Sequence, residues 1–253
     1  MPPDRSCDQI VALAAGNADA AYERLSRWLD LDPDADGVEW LPEKWGRWVP
    51  VDGLTSRLRG PAPDGRWRLY RRDLLQLGAQ VVASDQDESA AVALLLAVVV
   101  WGAGQSDGRG PWKAAQALGL GESREPGRQA IDRIRLAVAV ALKEGGWVAY
   151  AALSPQGPAK LQQMGESYFT KLIYAAGFGC DAAPRPWPLI LDDNVRKALV
   201  RPGGILSHTA WTLHYSPVGY RHYLRIAATW AQIWDLPADH IEYALFRMGR
   251  DGG

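Results

Sequence analysis

The chain has 253 residues, 47% of them hydrophobic, and a formal net charge of −1. That is enough apolar material for one large domain or two closely packed ones. It excludes a globally basic protein drawn to nucleic acid by its overall field, so any nucleic-acid surface must be a local patch. Cys7 and Cys180 are the only two cysteines, which fits a reducing cytoplasm rather than a disulfide scaffold.

The first residues, MPPDRSCDQ, lack the charged-then-apolar layout of a signal peptide. Over 7–31 apolar residues recur at helical spacing (Ile10, Leu13, Ala14, Tyr22, Leu25, Leu29), and the acidic stretch Asp32–Asp36 with Pro33 ends that helix. Residues 37–66 are rich in Pro and Gly and carry Trp40, Trp45 and Trp48, so an irregular segment or short strands are expected. The densest basic run follows: Arg66-Trp67-Arg68-Leu69-Tyr70-Arg71-Arg72. It reads either as a phosphate-contacting strand or helix start, or as a solvated face whose aromatics anchor it to the core.

From residue 86 the chain reads as almost entirely helical. Ala90–Trp101 is the longest apolar run, with 12 residues. A membrane span needs roughly 20, so this predicts a buried core helix over 88–101, opened by Asp87. A Gly-rich loop, GAGQSDGRG, spans 102–110. Helices are then expected at about 111–118, 126–143, 146–153, 156–163, 168–176, 193–200, 206–213, 217–234 and 239–248, the last capped by Asp239 with Glu242 three positions on. The fold class is therefore all-α, an irregular bundle of many short helices. It would comprise a less regular N-terminal segment, 1–85, and a helical domain, 86–253.

Chemistry concentrates in 165–199, GESYFTKLIYAAGFGCDAAPRPWPLILDDNVRKAL. Lys171 lies near the start of an amphipathic helix, flanking the face formed by Tyr168, Leu172 and Ala175. It is either a lysine laying its stem over the core or an amine nucleophile, since a helix start and partial burial both disfavour an ammonium. Asp192 follows the apolar Leu189-Ile190-Leu191 and opens the next helix. Helix capping alone would explain an aspartate there. The two are 21 positions apart across a Gly/Pro-rich loop that can turn both helix starts toward one point.

The pair, with Thr170-Lys171 and Leu191-Asp192-Asp193-Asn194-Val195 in their context, resembles the helix-hairpin-helix DNA glycosylase superfamily. It is most similar to 8-oxoguanine DNA glycosylase/lyases of the archaeal type and to a bacterial 8-oxoguanine-glycosylase-like family. WGAGQSDGRG at 101–110, Trp230, Trp234, Asp239, Glu242, Leu245 and Phe246 add to the resemblance, which spans roughly 86–248. It implies excision of 8-oxoguanine or a related modified purine from double-stranded DNA, in repair or antiphage defence, by a monomer in the cytoplasm at the nucleoid. Lys171 would be the nucleophile and Asp192 the carboxylate that stabilises the developing cation. The resemblance also implies backbone contacts from Gly165, Ser167, Thr170, Asn194 and Arg196. Trp101, Gln105, Trp112, Trp187 and Trp211 are candidates for a base pocket, the tryptophans by stacking and Gln105 by its amide.

The chain departs from the family pattern in three places. Ser167 and Phe169 stand where the hairpin usually has glycines, Asn194 stands where a histidine is usual, and 1–85 does not match the six-strand N-terminal domain of eukaryotic relatives. The resemblance implies no cofactor. No Cys cluster points to an iron–sulfur centre, and His208, His214, His222 and His240 lack metal-ligand spacing. The alternatives are a modified-base sensor with little or no catalysis and a helical interaction protein without a nucleic-acid role.

Overall fold

A computed structural model describes residues 6–84, 87–104, 109–121, 124–209 and 211–252. They form thirteen helices and one two-stranded ribbon, so the fold class is all-α as expected. Two compact units divide the chain: residues 1–33 with 189–253, and residues 34–188.

The first unit joins the two ends of the sequence. It holds α1 (Cys7–Gly16), α2 (Ala18–Leu29), α11 (Asp193–Val200), α12 (Pro217–Trp234) and α13 (Ala238–Asp251). The single helix expected over 7–31 is two, broken at Asn17, whose side-chain amide donates to Leu13 O at 2.8 Å. Such side-chain-to-backbone bonds compete with the helical ladder. Packing of α1 on α12 is fixed by the buried indole of Trp230, whose N–H donates to Ala14 O at 2.9 Å. Two boundaries need correction. The stretch 206–213 is not a helix. Pro202, Gly203 and Gly204 turn the chain back so that Ile205 and Leu206 N–H donate to Ala198 and Leu199 carbonyls, closing the end of α11. The cap of α13 is Pro237, and Asp239 lies in its first turn, where it still complements the helix dipole.

The second unit is built around α6 (Glu88–Ala103). Its residues Ala90–Val100 are all buried, and Asp87 caps it by accepting from Ala90 N–H at 3.1 Å. Around it pack α4 (Asp52–Thr55), α5 (Arg71–Ala83), α7 (Gly110–Leu118), α8 (Arg128–Glu144) and α10 (Glu166–Gly177). The unit also contains α3 (Pro42–Trp45) and α9 (Gly146–Leu153). The stretch 156–163 forms turns rather than a helix, because Pro155, Gly157 and Pro158 break the ladder. A Cβ on Gly157 would stand 2.1 Å from Ala152 O, so only glycine permits that turn.

The Trp/Pro/Gly segment does contain short strands. Strand β1 (Val38–Trp40) pairs antiparallel with β2 (Trp67–Leu69), Glu39 opposite Arg68 and Trp40 opposite Trp67. The basic run is thus split between β2 and the start of α5. Arg66 and Arg68 reach Glu39 at 2.7 and 3.2 Å, Arg68 also reaches Asp64 at 2.6 Å, and Arg72 reaches Asp34 at 2.5 Å. Hydrogen bonds from Arg66 and Arg68 hold the Glu39 carboxyl below its ordinary range, and the Arg66 backbone N–H followed by Arg68 does the same for Asp64. Acids therefore offset the charge of this run on the surface, while Arg71 is buried.

Candidate active site

In the second unit, α9 and α10 are joined by the turns of 154–165, and Gly165 is the N-cap of α10 with no side chain to cap it. The apolar residues Phe169, Leu172, Ile173 and Ala176 sink into the core, and the ring of Tyr150 from α9 meets Phe169 edge-on at 4.8 Å. Lys171, on the flank of that face, is drawn inward with them and is 5% exposed. Its amine donates to Ser167 O at 2.5 Å and lies 5.5 Å from the centroid of Trp101. The hydroxyl of Thr170 is buried and donates to Glu166 O at 2.7 Å.

The last turn of α6 makes this arrangement possible. A Cβ on Gly102 would stand 2.8 Å from the Tyr168 ring and 3.6 Å from Lys171 Cδ. The bare glycine lets Tyr168 and the lysine stem lie directly against the helix. Arg71, 3% exposed, adds a second cation to the aromatic wall, with its guanidinium carbon 5.5 Å from Trp101 and 5.2 Å from Tyr174. Lys113 of α7 places its amine 3.3 Å from the Tyr168 phenol and 4.5 Å from that ring's centroid. Lys113 was not expected from the sequence, and Arg71 and Tyr168 stood there only as members of the basic run and of a helix face. Arg71 is one of four arginines in the basic run, and nothing local marks it as the buried one.

In the first unit, Asp192 is held from both sides. The segment before it is clamped by α12: Tyr220 OH donates to Leu189 O at 2.6 Å and accepts from Leu189 N–H at 3.1 Å, and Tyr223 OH donates to Ile190 O at 2.9 Å. Asp192 itself is the N-cap of α11. Its Oδ1 accepts from Asn194 N–H at 2.9 Å and from Val195 N–H at 3.1 Å. The carboxylate is thereby fixed in orientation at the positive end of a helix. Arg196 Nε donates to Leu213 O at 3.2 Å, and its guanidinium stacks 5.1 Å from Tyr215.

The tryptophans divide by environment. Trp101 lies beside Lys171, and Trp211 is buried in the first unit. Neither indole N–H has a partner among the described residues. Trp187 donates to Cys180 O at 3.1 Å, meets Phe178 edge-on and carries Arg185 3.9 Å from its centroid, which is anchoring contact. Trp112 on α7 is exposed. Gln105 lies outside the described residues. Among the described residues, no cluster of three His, Cys, Asp or Glu could hold a metal ion, and no helix is long and apolar enough to cross a membrane.

Residues 31–246 match a family model described as "Putative 8-oxoguanine DNA glycosylase OGG-like protein". No curated protein and no solved structure matches the chain.

Proposed function

The chain belongs to the OGG-like 8-oxoguanine DNA glycosylase family, and from that premise we propose that it excises 8-oxoguanine or a related modified purine from duplex DNA and cleaves the strand through Lys171. Family membership itself supports glycosylase-like action on DNA. The base, the lyase step and the residue roles are our reading.

The observation that carries the lyase step is the setting of Lys171. A lysine that merely snorkels keeps its charged head in water. This one is buried, with its amine between a backbone carbonyl and an indole face. A buried amine on a rigid helix suits nucleophilic attack. In the proposed reaction the base is first drawn out of the stack. The C1′–N9 bond breaks, its electron pair leaves with the base, and the base takes up a proton. The Asp192 carboxylate stabilises the cation that develops at C1′. The neutral amine of Lys171 attacks that carbon and gives up its two protons, one to the departing base and one to O4′ as the C1′–O4′ bond breaks, which leaves an imine. Loss of a C2′ proton then expels the 3′ phosphate and cleaves the strand, and water hydrolyses the imine to restore the lysine.

The departure at the hairpin favours a second reading, a modified-base sensor. Ser167 and Phe169 occupy the positions where glycines usually stand, and α10 starts without a side-chain cap. The readings separate in one assay, release of free base from duplexes each carrying one modified purine. Release of 8-oxoguanine or a related base with turnover supports the glycosylase. Base-selective binding with no release supports the sensor.

A further inference from the structure

We propose that Lys113 and Tyr168 grip a backbone phosphate of the DNA beside Lys171. The inference rests on the reading of Lys171 as the nucleophile, and it supplies the anchor that the glycine-poor hairpin lacks.

Tyr168 is three residues before Lys171 on α10, so the phenol and the amine share a face. Both pack on Gly102. Lys113 donates to the Tyr168 oxygen at 3.3 Å and lies over the ring. Neither side chain has a carboxylate partner among the described residues, and the phenol O–H has no protein acceptor among them. An ammonium carries three donors and a phenol one. With one ammonium N–H spent on the phenol oxygen, the pair still offers ammonium N–H groups and the phenol O–H to an incoming acceptor. An anion with several oxygens fits that set, and on DNA the anion is phosphate. Arg109, the N-cap of α7 four residues before Lys113, is exposed and likewise has no carboxylate partner among the described residues. The phosphates that flank an attacked nucleotide lie next to its sugar, which is where a grip adjacent to the nucleophile must act.

The test uses full-length protein and a duplex containing one tetrahydrofuran abasic-site analogue. Binding is measured against salt for wild type, Lys113→Gln and Tyr168→Phe, and repeated with a neutral methylphosphonate at each phosphate flanking the analogue. We expect Lys113→Gln to reduce the salt slope by about 0.9, the value of one phosphate contact. One methylphosphonate should weaken wild type but not Lys113→Gln, and Tyr168→Phe should show a smaller loss at that same position. In borohydride trapping on natural abasic DNA, the loss should fall on KM. An unchanged slope, or methylphosphonate penalties equal in wild type and Lys113→Gln, overturns the grip. If trapping through Lys171 persists in that case, the proposed function stands without it. Failure of wild type to bind the duplex overturns both.

Discussion

Gly78 is where the helix that carries Lys171 touches its neighbour. A Cβ added there would stand 1.9 Å from Ala175 O and 2.5 Å from Ala175 C, on the turn of α10 just after Lys171. Ordinary contact begins at 3.4 Å, so α5 and α10 must separate by about 1.5 Å to admit one methyl group. The obstacle is helix backbone and cannot rotate away. Gly78→Ala should therefore sit at the upper end of overpacking costs, about 3 kcal/mol. For a chain of this size that lowers the melting temperature by roughly 6–12 °C. A displacement of about 1 Å at a catalytic group costs on the order of 100-fold in rate, so imine trapping should slow comparably. The control is Gly16→Ala. Nothing lies within 4 Å of that Cβ, and alanine in place of helical glycine should stabilise by about 0.5–1 kcal/mol. Calorimetry and trapping on abasic DNA read both effects. Wild-type melting and trapping in Gly78→Ala would refute the α5–α10 packing described above.

Asp192 should separate capping from chemistry. Asp192→Asn keeps the cap and should melt near wild type, whereas Asp192→Ala loses about 1 kcal/mol. Both should lose about 100-fold or more in base excision if the carboxylate stabilises the cation, and near-wild-type excision by Asp192→Asn would reduce its role to capping. Hydrogen bonds from Arg250 and then Arg247 hold the Asp251 carboxyl at about 2, below its ordinary 3.8. Its stabilisation is thus complete above about pH 4 and is lost as pH falls toward 2, so Asp251→Asn should flatten that part of the stability curve in urea titrations, and parallel curves would contradict the pairing. Burial pushes Asp73 the other way, above 3.8, so the folded state holds its proton longer and this contribution declines as pH rises past 3.8. Asp73→Asn, which still offers an acceptor to the Tyr70 N–H, should remove that decline, and a stability–pH profile unaltered above pH 4 would argue against it.

The core helix around Ala90–Val100, the helix of Lys171 and the capped start at Asp192 were legible because each has a local signal: an unbroken apolar run, helical spacing, a carboxylate before a polar turn. Helix α5 was not, because it opens inside the basic run, on Arg71 and Arg72, which masks the spacing of Leu74, Leu77 and Val81 that buries it. The turns at 156–163 and 206–213 hold residues that tolerate a helix locally. Backbone contacts with α9 and α11 decide otherwise. Lys171 and Asp192 could be named from their resemblance to a family. Lys113 and Arg71 could not, since each reaches the surroundings of Lys171 only through an aromatic ring far away in sequence, Tyr168 for one and Trp101 for the other. The joining of residues 1–33 with 189–253 was hidden for the same reason. It depends on long-range contacts such as that of Trp230 with Ala14.

The central claim is that Lys171 forms an imine with the sugar of the excised base. Borohydride reduction during reaction with duplex DNA carrying 8-oxoguanine or an abasic site tests it most directly. Wild type should be captured as a covalent protein–DNA adduct, and Lys171→Gln should give none while folding as wild type does. An adduct undiminished in Lys171→Gln would place the nucleophile elsewhere, and no adduct with wild type on either substrate would contradict the lyase mechanism itself.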